Sequence, residues 1–450
     1  MKKRPDIIYF LGIGGIGMSA LARYFRSRGL TVYGYDVSST PLTRQLEAEG
    51  MHVHYVDDVS LIPENVTRVI YTPAIPEPNR ELRYFKARNI KTEKRAAVIG
   101  EISRNLFTIA IAGTHGKTSI TAMVAHLLHT AGLPMVAFVG GIAKNFGTNF
   151  IISKHPQYMV VEADEYDRSL LTLHPDIGVI TSVDADHLDV YSGLEDLQST
   201  FLQFARLLPE KGLLIHQEKL KIFAGEIKNR MSYGTTGDAV LSANNIRLEE
   251  GYYCFDIRQN GKQLMLLKIH IPGKHYVENA LAAIGVALRL GIGIPVIKRA
   301  LETFAGVVRR FDYRIRTSER VYIDDYAHHP EELRATFQAV RQSHPGRKIT
   351  AVFQPHLYSR TRDFADDFAR VLSEADCLIL LEIYPAREKP VPGITSRLIA
   401  DKVNLKEKYI MDKKALFAFL KREKPALLLT LGAGDIGLMV REIEEIMMAS

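Results

Sequence analysis

The most constraining feature of the sequence is a short glycine loop set between two unlike segments. Phe107–Ala112, apolar but for Thr108, reads as a strand, Thr118–Thr130 has helical periodicity, and Gly113-Thr114-His115-Gly116-Lys117 joins them. A strand that is apolar at almost every position is buried on both faces. Helices must therefore cover both sides of its sheet, and the sheet must be largely parallel. In such sheets the loop that follows a strand lies where ligands bind. Here its residues suit a nucleoside triphosphate: loop N–H groups can surround phosphate oxygens, Lys117 can bridge the β- and γ-phosphates, and Thr118 can offer its hydroxyl to Mg²⁺. Gly113, Thr114, His115, Gly116, Lys117 and Thr118 are thus expected to bind ATP. Only two residues separate Gly113 from Gly116, whereas the common Walker A loop has four.

The same strand, glycine loop and helix pattern opens the chain. Ile7–Leu11 reads as a strand, Ile16–Arg28 as a helix, and further pairs follow through Val69–Tyr71 and the helix Arg95–Arg104. Between strand and first helix stands Gly12-Ile13-Gly14-Gly15-Ile16-Gly17, with Asp36 ending the next strand. Glycines there let the backbone approach a pyrophosphate whose charge meets the N–H groups of the helix start. Taken alone, the motif suggests a dinucleotide cofactor. A hydride-transfer site is missing downstream and a second phosphate loop is present, so a nucleotide-diphosphate substrate fits Gly12, Gly14, Gly15, Ile16, Gly17 and Asp36 better.

Further along, Met159–Ala163 and Ile177–Val183 continue the second unit. Residues 239–271 change to short alternating strands with an Asn260-Gly261 hairpin signal, an antiparallel patch on the same domain. From about Tyr313 a third unit shows strands at Val321–Asp325, Thr350–Gln354, Cys377–Ile383 and Ala426–Leu431, closing with Asp435–Met448. The expected fold is α/β with three domains: residues 1–105 Rossmann-like, 106–312 a P-loop ATPase-like parallel sheet with a small antiparallel patch, and 313–450 Rossmann-like. A length of 450 residues accommodates three cores.

Composition enters by exclusion. With 46% apolar and 24% charged residues and no repeat or biased tract, the chain reads as globular. The excess of 58 basic over 51 acidic residues comes without a zinc spacing, a helix-turn-helix or an aromatic-interleaved basic stripe, so nucleic acid is not expected. Cys254 and Cys377, far apart in apolar runs, read as buried thiols of a reducing compartment. Lys2-Lys3-Arg4, the apolar stretch Ile7–Met18 and Ala20-Leu21-Ala22 imitate a secretory leader, but cleavage there would cut a βα unit in half. The apolar run 280–297 is broken by Arg289, Gly291, Gly293 and Pro295, too early for a membrane span.

The short loop Gly-Thr-His-Gly-Lys-Thr resembles the ATP loop of the Mur ligases and of folylpolyglutamate synthase. Gly-Ile-Gly-Gly-Ile-Gly-Met-Ser, from Gly12, is similar to the N-terminal motif of the branch of the Mur ligase family that adds L-alanine. Further matches follow in family order: Glu162-Ala-Asp164-Glu165, Asp186-His187-Leu-Asp189, Asn279-Ala-Leu-Ala, Arg309-Arg310-Phe311, Asp324-Asp325-Tyr-Ala-His328-His329-Pro330, Gln354-Pro355-His356 with Ser359-Arg360-Thr-Arg362-Asp363, and Gly432-Ala-Gly434-Asp435. They cover essentially the whole chain.

The resemblance implies that ATP phosphorylates the lactyl carboxylate of UDP-N-acetylmuramic acid and that L-alanine attacks the acyl phosphate. ATP is then co-substrate and Mg²⁺, with Mn²⁺ as a substitute, the metal. The setting implied is cytoplasmic, for a monomer or homodimer with neither nucleic acid nor membrane insertion. By the same resemblance residues 1–105 bind the UDP-sugar, 106–312 ATP and 313–450 the amino acid, closing about hinges near 105 and 312. Glu162 and His187, ending two neighbouring strands, complete Mg²⁺ coordination with Thr118. Lys117, His187, Arg310 and His329 are the catalytic candidates. Asn279, at a helix start, Arg310 and Asp325 are on the nucleotide side, while His328, His329 and Arg360 hold the amino acid and the muramyl carboxylate. His329, before Pro330, reads equally as a helix N-terminal residue.

Two departures from the pattern stand out. Leu357 occupies a position where many of these ligases carry arginine, which shifts carboxylate contacts toward Arg360 or Arg362. The helix from Leu194 to Phe204 lacks the lysine that several sister ligases carbamylate. Alternatives are a muropeptide-recycling ligase that adds a tripeptide to the same nucleotide sugar, a folate-type polyglutamate ligase, disfavoured by the N-terminal domain, and a module that binds ATP without consuming it.

Overall fold

The computed structural model describes residues 6–184, 191–236, 238–249, 251–386 and 388–449. It contains three sheets. The first is built from β1 (Ile7–Leu11), β2 (Thr31–Tyr35), β3 (His52–His54), β4 (Val66–Tyr71) and β5 (Thr92–Lys94) in the order β3-β2-β1-β4-β5, all parallel. The chain proceeds from β1 to one side and later to the other, so the loop after β1 sits at the topological switch point, where an open α/β sheet forms its ligand crevice. Helices α1 (Ile16–Ser27), α2 (Pro41–Ala48), α3 (Arg80–Ala87) and α4 (Arg95–Ser103) belong to this layer.

The second sheet has ten strands: β6 (Phe107–Ala112), β7 (Met135–Ala143), β8 (Thr148–Ile152), β9 (Tyr158–Glu162), β10 (Ile177–Ile180), β11 (Leu213–Gln217), β12 (Arg230–Gly234), β13 (Leu241–Glu249), β14 (Tyr252–Gln259) and β15 (Lys262–Ile269). In the order β15-β14-β13-β12-β11-β10-β6-β9-β7-β8, β6 lies between β10 and β9 and pairs parallel with both. Ile109 to Ala112 are fully buried, as a central parallel strand requires. Around it lie α5 (Lys117–Thr130), α6 (Leu194–Arg206), α7 (Lys274–Arg289) and α8 (Ile294–Glu302). Thr118 to Leu128 are all buried, so α5 is covered on every side rather than along one stripe.

The expected short strands between 239 and 271 are eight or nine residues long. Asn260 and Gly261, both at positive φ, make the two-residue turn that joins β14 to β15, and such a turn connects antiparallel strands. The strand expected over Ile177–Val183 ends at Ile180, because Thr181 turns away to hydrogen-bond the glycine loop.

The third sheet runs β16-β17-β21-β18-β19-β20, from β16 (Asp312–Arg316), β17 (Val321–Asp325), β18 (Thr350–Phe353), β19 (Cys377–Leu380), β20 (Lys408–Ile410) and β21 (Leu427–Leu431). Only β16 is antiparallel to its neighbour. It carries α9 (Pro330–Ser343), α10 (Tyr358–Asp363) and the closing helix Ile436–Met448.

By compactness the chain forms two units. One comprises Met1–Asn244, Asp256–Leu267 and Glu278–Phe304; the other comprises Asn245–Phe255, Lys268–Val277 and Ala305–Ser450. Within the first, the two sheets share one apolar core, in which Ile8, Phe10, Phe25 and Ile99 pack with Val136, Phe138 and Phe150. Asn149 on β8 fastens the start of α1, donating to the Ile16 carbonyl at 2.5 Å and to Ser19 Oγ at 3.0 Å. On α3, Glu81 is fully buried. It accepts a 2.6 Å hydrogen bond from Tyr9 Oη and one from Asp58 N, and burial pushes its pKa up to about 7. Among the described residues no helix is long and apolar enough to cross a membrane.

Candidate active site

The loop after β6 bends through Gly113 and Gly116, with φ of 118° and 84°, where side chains are strained. At Gly113 there is no room for one either, since a Cβ would overlap Thr181. The residues after β10 lace the loop down. Thr114 N donates to the Ser182 carbonyl (3.0 Å), His115 N to Ser182 Oγ (3.2 Å), Thr181 Oγ1 to the His115 carbonyl (2.5 Å) and Asp184 N to Thr114 Oγ1 (2.9 Å). No side chain caps α5, so its first-turn N–H groups face the loop. Lys117 Nζ donates to the Gly113 carbonyl (2.6 Å) and to both oxygens of Glu165 (2.9 and 2.8 Å). Burial disfavours the ammonium, but Glu165 and its acidic neighbours outweigh that and hold the Lys117 pKa above its usual value.

Beside the lysine, Thr118 Oγ1 donates to Glu162 Oε2 at 3.2 Å, and Gly140 N donates to the other Glu162 oxygen at 2.5 Å. A hydroxyl and a carboxylate side by side at a phosphate loop are hard oxygen donors, the set that Mg²⁺ takes together with phosphate oxygens. Among the described residues no three His, Cys, Asp or Glu side chains form a metal cluster. His187 lies outside the described residues. The expectation that Glu162 and His187 end neighbouring strands is corrected: β9 and β10 flank β6 on opposite sides. Asn279 sits in the second turn of α7 rather than at its start, and its Oδ1 would be 2.7 Å from a Cβ on Gly116.

The N-terminal loop forms a second group. Gly12 N and Ile13 N donate to the Tyr35 carbonyl, and Gly14 N donates to Asp36 Oδ2 at 2.7 Å. Asp36 thus supports the loop from beneath. A Cβ at Gly14 would stand 2.8 Å from that carboxylate and 2.6 Å from Thr43 Cγ2. Gly15 is the uncapped N-cap of α1, Ile16 is partly exposed, and Gly17 lies under the guanidinium of Arg95.

The second unit holds Arg310, Asp325, His328, His329 and Arg360. Asp325 is buried and filled by protein donors: Phe311 N (3.2 Å), Ala327 N (3.0 Å) and Thr336 Oγ1 (3.1 Å). Burial raises its pKa to about 6 against the pull of Arg310. Glu332 gathers the others. It accepts from His328 N (3.0 Å) and His329 N (3.3 Å) and stands 3.9 Å from Arg310, whose guanidinium lies 4.8 Å from the centre of the Tyr326 ring. His329 is the N-cap of α9, its Nδ1 accepting from Glu331 N. Arg360 points inward and is buried, whereas Arg362 is exposed and paired to Asp363. Leu357, just before α10, adopts φ 70° and ψ 139°, a conformation that costs a leucine about 1–3 kcal/mol.

Reading the motifs singly missed several of these residues. Glu165 and Asp164 were visible inside the Glu-Ala-Asp-Glu run without a role of their own, and Glu332 follows the His-His-Pro motif at capping-box spacing. Nothing in the sequence pointed to Arg95.

A short Gly-x-x-Gly-Lys-Thr loop on a central parallel strand, sharing a compact unit with a glycine loop at a switch point, is the arrangement of a nucleotide-dependent α/β enzyme. Comparison with known proteins narrows this. Residues 7–106 match the Mur ligase family catalytic domain, 111–287 the Mur ligase middle domain and 309–434 the Mur ligase glutamate ligase domain. UDP-N-acetylmuramate–L-alanine ligases of Flavobacterium johnsoniae and Christiangramia forsetii are 46% and 45% identical; the alignments cover 98% and 97% of this chain and 97% and 96% of those proteins. The crystal structure of UDP-N-acetylmuramate-alanine ligase from Thermotoga maritima superposes with a TM-score of 0.83 at 28% identity, over 97% of this chain and 98% of that one. A murein peptide ligase from Psychrobacter arcticus gives 0.74 at 21% identity, over 98% of each, and shares the fold. The chain belongs to the Mur ligase family.

Proposed function

We infer that this chain is an ATP-dependent ligase that joins L-alanine to the lactyl carboxylate of UDP-N-acetylmuramic acid, with ADP and phosphate as the other products. The observation that carries the reading is the cluster of Lys117, Thr118 and Glu162 at one end of the short loop, an ammonium, a hydroxyl and a carboxylate suited to the terminal phosphates of a nucleotide. The near full-length relatives that bear this ligase name support it over the recycling alternative.

The residues divide the work. Those N–H groups of the loop and the first turn of α5 that Ser182 does not take orient the triphosphate, with Asn279 toward its base. Lys117 and Arg310 place positive charge against the transferring phosphoryl group. Thr118, Glu162 and His187 would hold Mg²⁺, or Mn²⁺, which when bound neutralises charge on phosphate oxygens. The loop Gly12–Gly17, supported by Asp36, holds the UDP-sugar. A carboxylate oxygen of the sugar attacks the γ-phosphorus and ADP leaves. The alanine amine then attacks the acyl carbon, phosphate departs with the electron pair of its bond, and the amine loses its proton. His328, His329 and Arg360 hold the amino acid and the carboxylate; Asp325 fixes the segment that carries Arg310. Positioning supplies most of the catalysis, since phosphoryl transfer needs little covalent help. We assign residues 1–105, 106–312 and 313–450 to sugar, ATP and amino acid. A cytoplasmic setting fits these substrates and the two free, buried cysteines.

The test is positional isotope exchange. ATP labelled with ¹⁸O at the β,γ-bridge, incubated with UDP-N-acetylmuramic acid but no alanine, scrambles the label into non-bridging positions as the acyl phosphate forms and reverts, and Glu162→Gln slows the scrambling. Release of AMP and pyrophosphate would falsify the mechanism.

A further inference from the structure

Gly17, the last glycine of the N-terminal loop, lies inside α1 at ordinary helical φ, so its backbone does not demand a glycine. Glycine is a weaker helix former than alanine. The space over it is taken by a neighbour. Arg95, the first residue of α4, reaches over the first turn of α1, and a Cβ on Gly17 would overlap its guanidinium, with Cζ only 3.0 Å away. With glycine at this position the guanidinium rests directly on the start of α1.

Three other basic side chains of this layer are committed. Arg23 is bound by Glu49 and Asn149, Arg68 by Glu93 and Glu101, and Lys94 by Asp167. Arg95 differs. Its side chain is 32% exposed, and among the described residues it makes one ion pair, to Asp164 Oδ2 at 3.8 Å, and no hydrogen bond. A guanidinium has five N–H donors. Asp164 is itself held, its Oδ1 accepting from Tyr166 N at 3.1 Å, so it draws the arginine from a fixed point. The first turn of α1 has no acidic residue and no side-chain cap, which leaves the N–H groups of Ile16 and Gly17 as helix-start donors beside the same guanidinium.

We propose that Arg95 is a phosphate-binding residue of the N-terminal site, its guanidinium taking oxygens of the substrate diphosphate beside the first-turn N–H groups of α1, with Asp164 as the residue that positions it. This rests on reading that loop as the nucleotide-sugar site. A forked, planar cation can hold two oxygens at once, which a lysine ammonium cannot. Asp164 belongs to the segment that also supplies Glu162 and Glu165, so the cation of the sugar site is set by the segment that holds the lysine of the ATP site.

The experiment is calorimetry on the full-length protein with UDP and with uridine, which lacks phosphate, as probes. Wild type binds UDP more tightly than uridine. Arg95→Met weakens UDP by at least about tenfold and leaves uridine and ATP within about twofold, the ATP value also showing that the variant is folded. Arg95→Lys falls between. Asp164→Asn weakens UDP by a smaller factor and spares uridine. Unchanged UDP affinity in Arg95→Met overturns the proposal, as does equal weakening of UDP and uridine. Gly14→Val, measured alongside, separates the two claims. UDP lost in Gly14→Val but kept in Arg95→Met overturns the arginine's role alone. UDP binding untouched by both, or no better than uridine in wild type, overturns the reading of the site as well.

Discussion

Lys117→Met keeps the aliphatic stem and removes the ammonium, and two separable losses follow. The first is catalytic. Deleting one preorganised donor at developing phosphoryl charge costs about 2.7–4 kcal/mol, a factor of about 10²–10³ in turnover. The second is structural, because both Glu165 oxygens lie within 3 Å of the ammonium and the Glu165 side chain is only 2% exposed. Removing one partner of a buried pair costs about 3–5 kcal/mol. The lysine retains 16% exposure, which places the loss near the lower end, about 3 kcal/mol. For a unit of this size that lowers the melting temperature by about 5 °C. The two losses part company in Lys117→Met/Glu165→Gln, where no carboxylate is left facing an apolar tip. That double variant regains most of the melting temperature and none of the turnover. Phosphate release with UDP-N-acetylmuramic acid and L-alanine measures the first loss, and thermal unfolding followed by circular dichroism the second. Turnover within tenfold of wild type refutes the ATP assignment. A double variant no more stable than Lys117→Met refutes the ion-pair argument.

Gly14→Val drives a side chain into Asp36 and Thr43, so calorimetry should find UDP-sugar binding weakened by tenfold or more and ATP largely spared; the opposite pattern means the nucleotides are assigned to the wrong sheets. Glu81 supplies a pH signature. Burial raises its folded pKa to about 7 against an ordinary value of 4.5, so the folded state holds the proton more tightly, and stability falls as pH rises through that interval and is level above it. Melting temperatures from pH 5 to 8 should therefore fall more steeply in wild type than in Glu81→Gln, by the equivalent of on the order of 2 kcal/mol, and parallel curves count against a buried, protonated Glu81. Leu357→Gly relieves a strain of about 1–3 kcal/mol but frees the unfolded chain and deletes a buried leucine side chain, a loss of about 2–5 kcal/mol, so the melting temperature should fall; an unchanged or raised value means that the strain outweighs the packing.

What could be read in the sequence was whatever depends on one stretch of chain. Gly113 and Gly116 announce a tight turn because the backbone there needs positive φ, and an apolar strand before them announces a buried parallel neighbour. Asn260-Gly261 announces its hairpin for the same local reason. Contacts made across the fold left no such trace. Arg95 is an ordinary basic residue at a helix start until α4 is laid beside α1, and Glu165 gains its role only when β9 is placed next to β6 and its end meets Lys117. β16 was missed because Asp-Tyr-Arg-Ile-Arg is short and charged, so that the alternation of Tyr313 and Ile315 with polar residues is too brief to mark it as an antiparallel edge strand. The order β10-β6-β9 was equally hidden, since a run of parallel strands says nothing about which of them lie side by side.

The cap that His329 forms on α9 also settles a question of protons. Because Nδ1 receives the Glu331 N–H, its lone pair is committed to the helix, and in the neutral ring the hydrogen must reside on Nε2. The imidazole therefore offers an N–H rather than a lone pair on its far side. In that form it can donate to a carboxylate. His329→Asn would keep a residue able to cap while removing the ring, and so distinguish the two duties.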